Sequence, residues 1–443
     1  MGLLFGCEPA FLDQKPDKKL VVPQQLSDYQ ALLDAVPDGM NTAPGLHAIA
    51  SDDFYCLPGA LGGLPPAERG AYLWAKDVFE GKSSQDWDAP YKSIFYANVV
   101  LSGLDGVVTG SASAAQLAAI QGSALFFRAF AHYNLVSSFA APFDKLTAQS
   151  LPGIPLRLTA DVNQLSDRGT LQQTYDQIIS DLSRAEALLT GPVTYTNRPS
   201  APAVKALFAR IYLSMAEYDK ALDAASKALS LHDKLLDYNT LNASARRPFP
   251  AMFTGLNPEI IFHASMPGMD LPILSETGVD SLLYKSYEAD DLRKACFFTD
   301  RGGGVFGFKG SYLGSATLFA GLATDELYLI RAECYARTGQ TSLALRDLNT
   351  LLKQRYKAGT FKEIVAGSQG VLGLVLLERR KELVARGLRW SDLRRLNLDP
   401  VMAVTLQRNS VDGLVRLLPG DNRYTLPIPD TEIALSGISQ NPR

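Results

Sequence analysis

Cysteine and histidine are scarce in this chain of 443 residues, with four of each. Cys7, Cys56, Cys296 and Cys334 form no CxxC pair, and the histidines are scattered, so the spacing of a structural zinc site is absent and no metal is expected. No run of about 18 apolar residues occurs, so no segment is long and apolar enough to cross a membrane as a helix. Charge of one sign is not in excess either. Lys and Arg number 43 and Asp and Glu 46, a formal net charge of -3, whereas a dedicated nucleic-acid binder needs a concentrated cationic surface. There is no G-x-S-x-G, HExxH or Cys/His arrangement, and Asp300-Arg301-Gly302-Gly303-Gly304 lacks the GK[ST] of a phosphate loop. The reading is therefore of a protein that is not an enzyme and carries no cofactor. Asp52 with Asp53, and Glu378 with Glu382, are the only carboxylate pairs worth weighing for glycoside hydrolysis. The first pair is adjacent and points apart in an extended segment; the second sits i,i+4 on a charged helix face.

What the chain does have is helical periodicity. Hydrophobic content is 47%, ample for a packed core. Helices are predicted from Trp87 through Tyr91, Ile94, Phe95, Asn98 and Leu101, over 114–139, and over 171–189. Two segments repeat one another: Ala209, Tyr212, Tyr218, Ala221, Ala225 and Ala228, then Ala332, Tyr335, Ala344, Leu348 and Leu351. Alanine to tyrosine is three residues in both, and alanine to second alanine is twelve. That is the spacing of a tetratricopeptide hairpin, in which small residues let two helices approach closely. The fold class expected is mostly α: tetratricopeptide-like hairpins stacked as a scaffold, with a loop-rich irregular region carrying short strands.

The stretch Glu378–Asn397, ERRKELVARGLRWSDLRRLN, holds seven cations in twenty residues. Helical spacing puts Leu374, Leu377, Leu383 and Val384 on one face and turns Glu378, Arg379, Lys381, Glu382 and Arg386 toward water, with Gly387 interrupting. In order, E-R-R-K-E-L then G-x-R-W-x-D-L-R-R resembles the C-terminal signature of the SusD/RagB family of outer-membrane nutrient-binding lipoproteins. Further matches run along the chain. They are Trp87-x3-Tyr91-x2-Ile94-x3-Asn98, Phe127-Arg128-Ala129-x2-His132-Tyr133, Tyr175-x2-Ile178-x2-Asp181-Leu182, Asp291-Leu292-Arg293, Tyr424-x-Leu426-Pro427-Ile428-Pro429 and Gln440-Asn441-Pro442. Ala140-Ala141-Pro142 departs from the family's usual glycine before the proline.

At the amino end, Leu3-Leu4-Phe5-Gly6-Cys7 looks like the end of a bacterial lipoprotein signal, with Cys7 as the lipidation site, although a charged n-region is not among these residues. Residues 1–25 then read as lipoprotein-type terminus and tether, and 26–443 as a single SusD-like body. Within it the scaffold covers about 87–235 and 323–397, the ligand region about 40–86 and 240–322, and 398–443 is irregular. Cys334 reads as a small core residue, and Cys56 with Cys296 as the pair available for a disulfide in an oxidising compartment.

The resemblance implies a cell-surface, lipid-anchored protein that captures an oligosaccharide or polysaccharide and passes it to a SusC-type TonB-dependent outer-membrane transporter. A peptide or other non-glycan ligand is the alternative within that role. A cytoplasmic tetratricopeptide adaptor for a protein partner is the alternative outside it; no nucleic-acid partner is expected. In carbohydrate-binding members, rings stack on sugar faces and polar groups fix hydroxyls. The candidates in this sequence are Asp53, Tyr55, Tyr72 and Trp74 from the first irregular region, and Tyr284, Tyr287, Arg301, Phe306 and Phe308 from the second, with Trp74 and Tyr284 the leading rings.

Overall fold

A computed structural model describes residues 23–36, 39–104, 107, 111–191, 193–310, 312–365, 367 and 370–443, the side chains of 111–113 excepted. Cys7 lies outside the described residues. The first third holds α1 (Leu26–Leu33), α2 (Leu46–Ala50), β1 (Phe54–Cys56), α3 (Pro66–Tyr72), α4 (Gln85–Leu104) and α5 (Ser111–Phe139). The middle holds α6 (Leu171–Leu188), α7 (Ala201–Ser214), α8 (Tyr218–Leu231), β2 (Ile260–Phe262), β3 (Thr277–Val279), α9 (Ser281–Ser286), α10 (Leu292–Phe297), β4 (Phe298–Asp300) and β5 (Phe306–Phe308). The last part holds β6 (Leu322–Ala323), α11 (Thr324–Arg337), α12 (Thr341–Lys353), α13 (Val371–Glu382), α14 (Leu388–Leu396), β7 (Leu406–Ser410), β8 (Gly413–Leu417) and α15 (Asp430–Ser436).

The two repeats fold as the hairpins α7–α8 and α11–α12, and α11 packs against α8 so that the hairpins stack. Ala221, Ala225 and Ala228 are wholly buried where α8 meets its neighbours, which is what a close helix approach requires. Helices α4, α5 and α6 form a three-helix continuation of the wall. The described strands pair as four two-stranded antiparallel ribbons: β1 with β3, β2 with β6, β4 with β5 and β7 with β8. The last of these lies in the C-terminal segment expected to be irregular. Cys56, Cys296 and Cys334 are all buried free thiols, so the disulfide considered for Cys56 and Cys296 is not formed.

The charged face of α13 departs most from expectation. Glu378, Arg379, Lys381, Glu382 and Arg386 do not face water; all five are buried. Arg293, at the start of α10, donates to Asp291 at 2.9 and 2.7 Å, to Glu378 at 2.7 Å and to Glu382 at 3.0 Å. Lys381 adds a bond of 2.8 Å to Glu378. Arg355 continues the chain with bonds of 2.7 Å to both Glu382 and Glu259. Tyr312 donates to Glu259 and, at 3.0 Å, to Asp325, which also accepts from Arg386 at 2.6 Å. One oxygen each of Glu259, Asp325 and Glu382 lie within 4.8 Å of one another, and the chain's own guanidinium groups supply the positive charge among them. Periodicity alone reads a charged stripe as solvent-facing. Here α10, α11 and the 355 turn cover that stripe, and opposite charges in it satisfy each other.

Breaking such a buried network at one member strands the partner charges. Replacement of Arg293 by Ala is expected to cost about 3–5 kcal/mol in urea unfolding. A loss under about 1 kcal/mol would mean the network is peripheral to stability.

Candidate functional site

The loops that hang on the helical wall meet at β1. Between β1, the start of α9 and β7 lies a cleft of about 700 Å³. Its inner wall is built around Arg408 of β7, whose guanidinium lies 3.8 Å from the Tyr72 ring centroid and 4.6 Å from that of Trp74. Arg408 also donates to the carbonyls of Tyr72, Ile49, Ala50 and Ser51, so a strand from the C-terminal segment is pinned to the loop before β1. Burial lowers the Arg408 guanidinium to about 10.

On the rim, Tyr55 lies across Gly278, its cross-strand partner in β3. A Cβ at 278 would fall 2.5 Å from the tyrosine ring, so only glycine lets the ring lie flat there. The ring is half-buried. Arg301 lies over Gly307 in the same way and donates to the Thr277 carbonyl at 2.7 Å. Burial raises the Tyr55 phenol, with the Arg301 charge acting the other way.

Charges in the cleft are already paired. Arg389 holds Asp52 through two bonds of 2.6 and 2.9 Å, and Arg380 bridges Asp52 at 3.1 Å and Asp280 at 3.3 Å. Burial pushes the Asp52 carboxyl up, but Arg389 and Arg380 outweigh it and hold it at about 2. Asp53 points away from its neighbour, accepting from the Ala385 N–H at 3.0 Å. Burial, then the Asp52 charge, raises its carboxyl to about 6. Beside these ions, exposed Leu57 and Leu282 give the cleft apolar edges.

A family model described as starch-binding and associating with the outer membrane matches residues 10–213, and the SusD family model matches residues 324–443. The chain belongs to the SusD/RagB family. SusD/RagB proteins bind rather than catalyse, and an Asp52 carboxylate saturated by two arginines agrees with that. No curated protein matches the chain. Among solved structures, a SusD superfamily protein from Bacteroides thetaiotaomicron has 21% identity and a TM-score of 0.77, covering 95% of this chain and 100% of its own. A putative sugar binding protein from Bacteroides vulgatus has 22% identity and a TM-score of 0.76, covering 95% and 99%. A laminarin binding SusD-like protein has 18% identity and a TM-score of 0.67, covering 94% and 99%. At these identities the likeness establishes the SusD fold and no more.

Within that SusD fold, the nine expected ligand residues divide. Tyr55, Tyr284, Arg301 and Phe306 are half-buried and reach the surface. Tyr284 and Phe306 stack on each other, centroids 3.6 Å apart and planes 11° apart, with the Lys294 ammonium 4.8 Å from the tyrosine centroid. The other five are core. Trp74, 2% exposed, donates its indole N–H to the Ala50 carbonyl at 2.9 Å, and the Tyr72 hydroxyl accepts from the Cys56 N–H at 2.9 Å. Tyr287, also 2% exposed, donates to the Lys381 carbonyl at 2.7 Å. Phe308 packs edge-on against Phe54, and Asp53 is the buried clamp just described. Arginine chemistry claims two aromatics of the first loop, Trp74 among them: Tyr72 and Trp74 enclose Arg408 between them.

Sequence reasoning missed Asp52, Asp280, Arg380 and the whole of β7 as cleft residues. For β7 a cue existed in Asp412-Gly413, a turn-forming dipeptide where the β7–β8 hairpin closes with Ser410 paired to Gly413.

Two measurements follow from these placements. Trp74→Ala is expected to lower stability by about 3 kcal/mol or more in urea unfolding, as a buried large-to-small change. Asp53 favours its protonated form in the fold, so its contribution is full below its ordinary value of 3.8 and is lost as pH rises through about 6. Asp53→Asn keeps the acceptor for Ala385, so melting temperatures recorded from pH 4 to 7 are expected to fall less steeply than in the parent protein.

Proposed function

We propose that this protein captures a neutral oligosaccharide or polysaccharide at the cell surface and passes it to a SusC-type TonB-dependent transporter, with Cys7 as the lipid-anchored residue. The observation that carries the reading is Tyr55, half-buried and laid on Gly278 at the rim of the 700 Å³ cleft. Sugar C–H faces are apolar enough to lie on such a ring, and hydroxyls take bonds from fixed polar groups. Arg380 and Arg389 neutralise Asp52 and Asp280, and Arg408 is spent on backbone carbonyls between Tyr72 and Trp74, so the cleft leaves no charged group for a ligand to satisfy. That favours neutral sugars over uronic acids. The Tyr284–Phe306 stack with Lys294 is a second ring surface on the same group of loops. Support for the ligand class comes from relatives, one described as a putative sugar binding protein and one as laminarin binding. Support for the membrane comes from the family description of association with the outer membrane.

Calorimetry against laminarin, starch and a charged polyuronate tests the reading. A neutral glycan is expected to bind, and Tyr55→Ala to weaken it by about tenfold, some 1.4 kcal/mol, with little change in melting temperature. Unchanged binding in Tyr55→Ala would take the cleft out of the site. Binding of peptides in place of every glycan would turn the importer toward a non-glycan cargo.

A further inference from the structure

A second concavity, of about 380 Å³, lies on the flank of α4. Its floor is the α4 face that carries Trp87, Tyr91 and Phe95 at four-residue intervals; the strap 155–166 and α15 form its walls. The strap is fixed to the floor. The Tyr91 hydroxyl donates to the Pro155 carbonyl at 2.9 Å, and the Asn98 amide donates to the Arg157 and Thr159 carbonyls, each at 3.0 Å. The groove shares no residue with the cleft at Tyr55.

Two features say what covers it. The rim is aliphatic and bare, with Val162 70%, Leu165 75% and, beside Glu432 on α15, Leu435 83% exposed. Flat rings and hydroxyl partners suit a sugar, whereas branched side chains standing in water are what a protein interface covers. The second feature is charge. Asp88 on α4, Glu432 on α15 and Arg157 of the strap line the groove; Arg157 donates to the Asp161 carbonyl at 3.0 Å, and neither acid has an ion-pair partner among the described residues. Burial raises the Asp88 carboxyl, and the charge of Glu432 raises it further, so the two acids stand close enough to repel. A cation brought from outside would relieve both at once.

We propose that this groove is a protein-docking site that takes an extended partner segment with aliphatic or aromatic residues next to a lysine or arginine. The apolar side chains lie over Phe95, Val162 and Leu165, and the cation sits between Asp88 and Glu432. Glycan capture at Tyr55 is a separate event on separate residues, so either reading can fail alone.

The test uses the full chain and two dye-labelled probes, acetyl-Lys-Leu-Phe-Leu-amide and its Glu-Leu-Phe-Leu counterpart, followed by fluorescence anisotropy. The lysine probe is expected to bind about fivefold more tightly or better, a preference set by the two acids. Asp88→Asn with Glu432→Gln is expected to erase that preference, and Val162→Asp with Leu165→Asp to lose both probes at an unchanged melting temperature. Tyr55→Ala is expected to bind the probes as the parent does. No binding of either probe, equal binding of both by the parent, or indifference to the groove substitutions would overturn the proposal. Displacement of the probe by laminarin oligosaccharides would overturn it too, by making the groove a sugar site.

Discussion

The structure depends on a run of charges that has been taken out of water. From Asp291 and Arg293 through Glu378, Glu382, Arg355 and Glu259 to Tyr312, Asp325 and Arg386, each acid is held by a base at hydrogen-bond distance. A second run joins Arg379 to Asp392, Arg395 and Glu333. Removing charges from water is costly, and their mutual attraction offsets that cost only when geometry is good and spare donors are satisfied. What the arrangement supplies in return is uniqueness of register. Helix α13 cannot slide or rotate against α10 and α11 without parting several pairs together. The loops that make the cleft leave this block at Asp52, Asp280 and Arg380, so their positions inherit its rigidity.

The scaffold was legible in the sequence because its rules are local. Ala221, Ala225 and Ala228 must be small where helices touch, and the repeat spacing carries that requirement openly. The ordered motifs of the family added the rest of the wall. The binding surface was less legible, for a physical reason. Whether a loop aromatic turns inward depends on what crosses above it, and the strand that crosses Tyr72 and Trp74 lies over 330 residues downstream at Arg408. Tyr55 is half-buried, and the room for its ring comes from Gly278 opposite, visible only once the strands are paired. Pairing of the α13 arginines with acids was legible, but their burial was not, because a charged stripe at helical spacing has the same pattern whether water or packed helices cover it.

The two concavities are separate places on one helical body. The Tyr55 cleft joins loops of the first third, the middle and the C-terminal ribbon. The α4 groove is made by helix, strap and α15. Neither draws its shape from the α11–α12 hairpin, which serves as support.

Arg408 has one more implication. The guanidinium that Tyr72 and Trp74 enclose belongs to a strand more than 330 residues after them, so the cleft has no inner wall until β7 has been made and has folded back. A chain cut short before β7 would lack that wall, and Tyr72 and Trp74 would lose the cation between them.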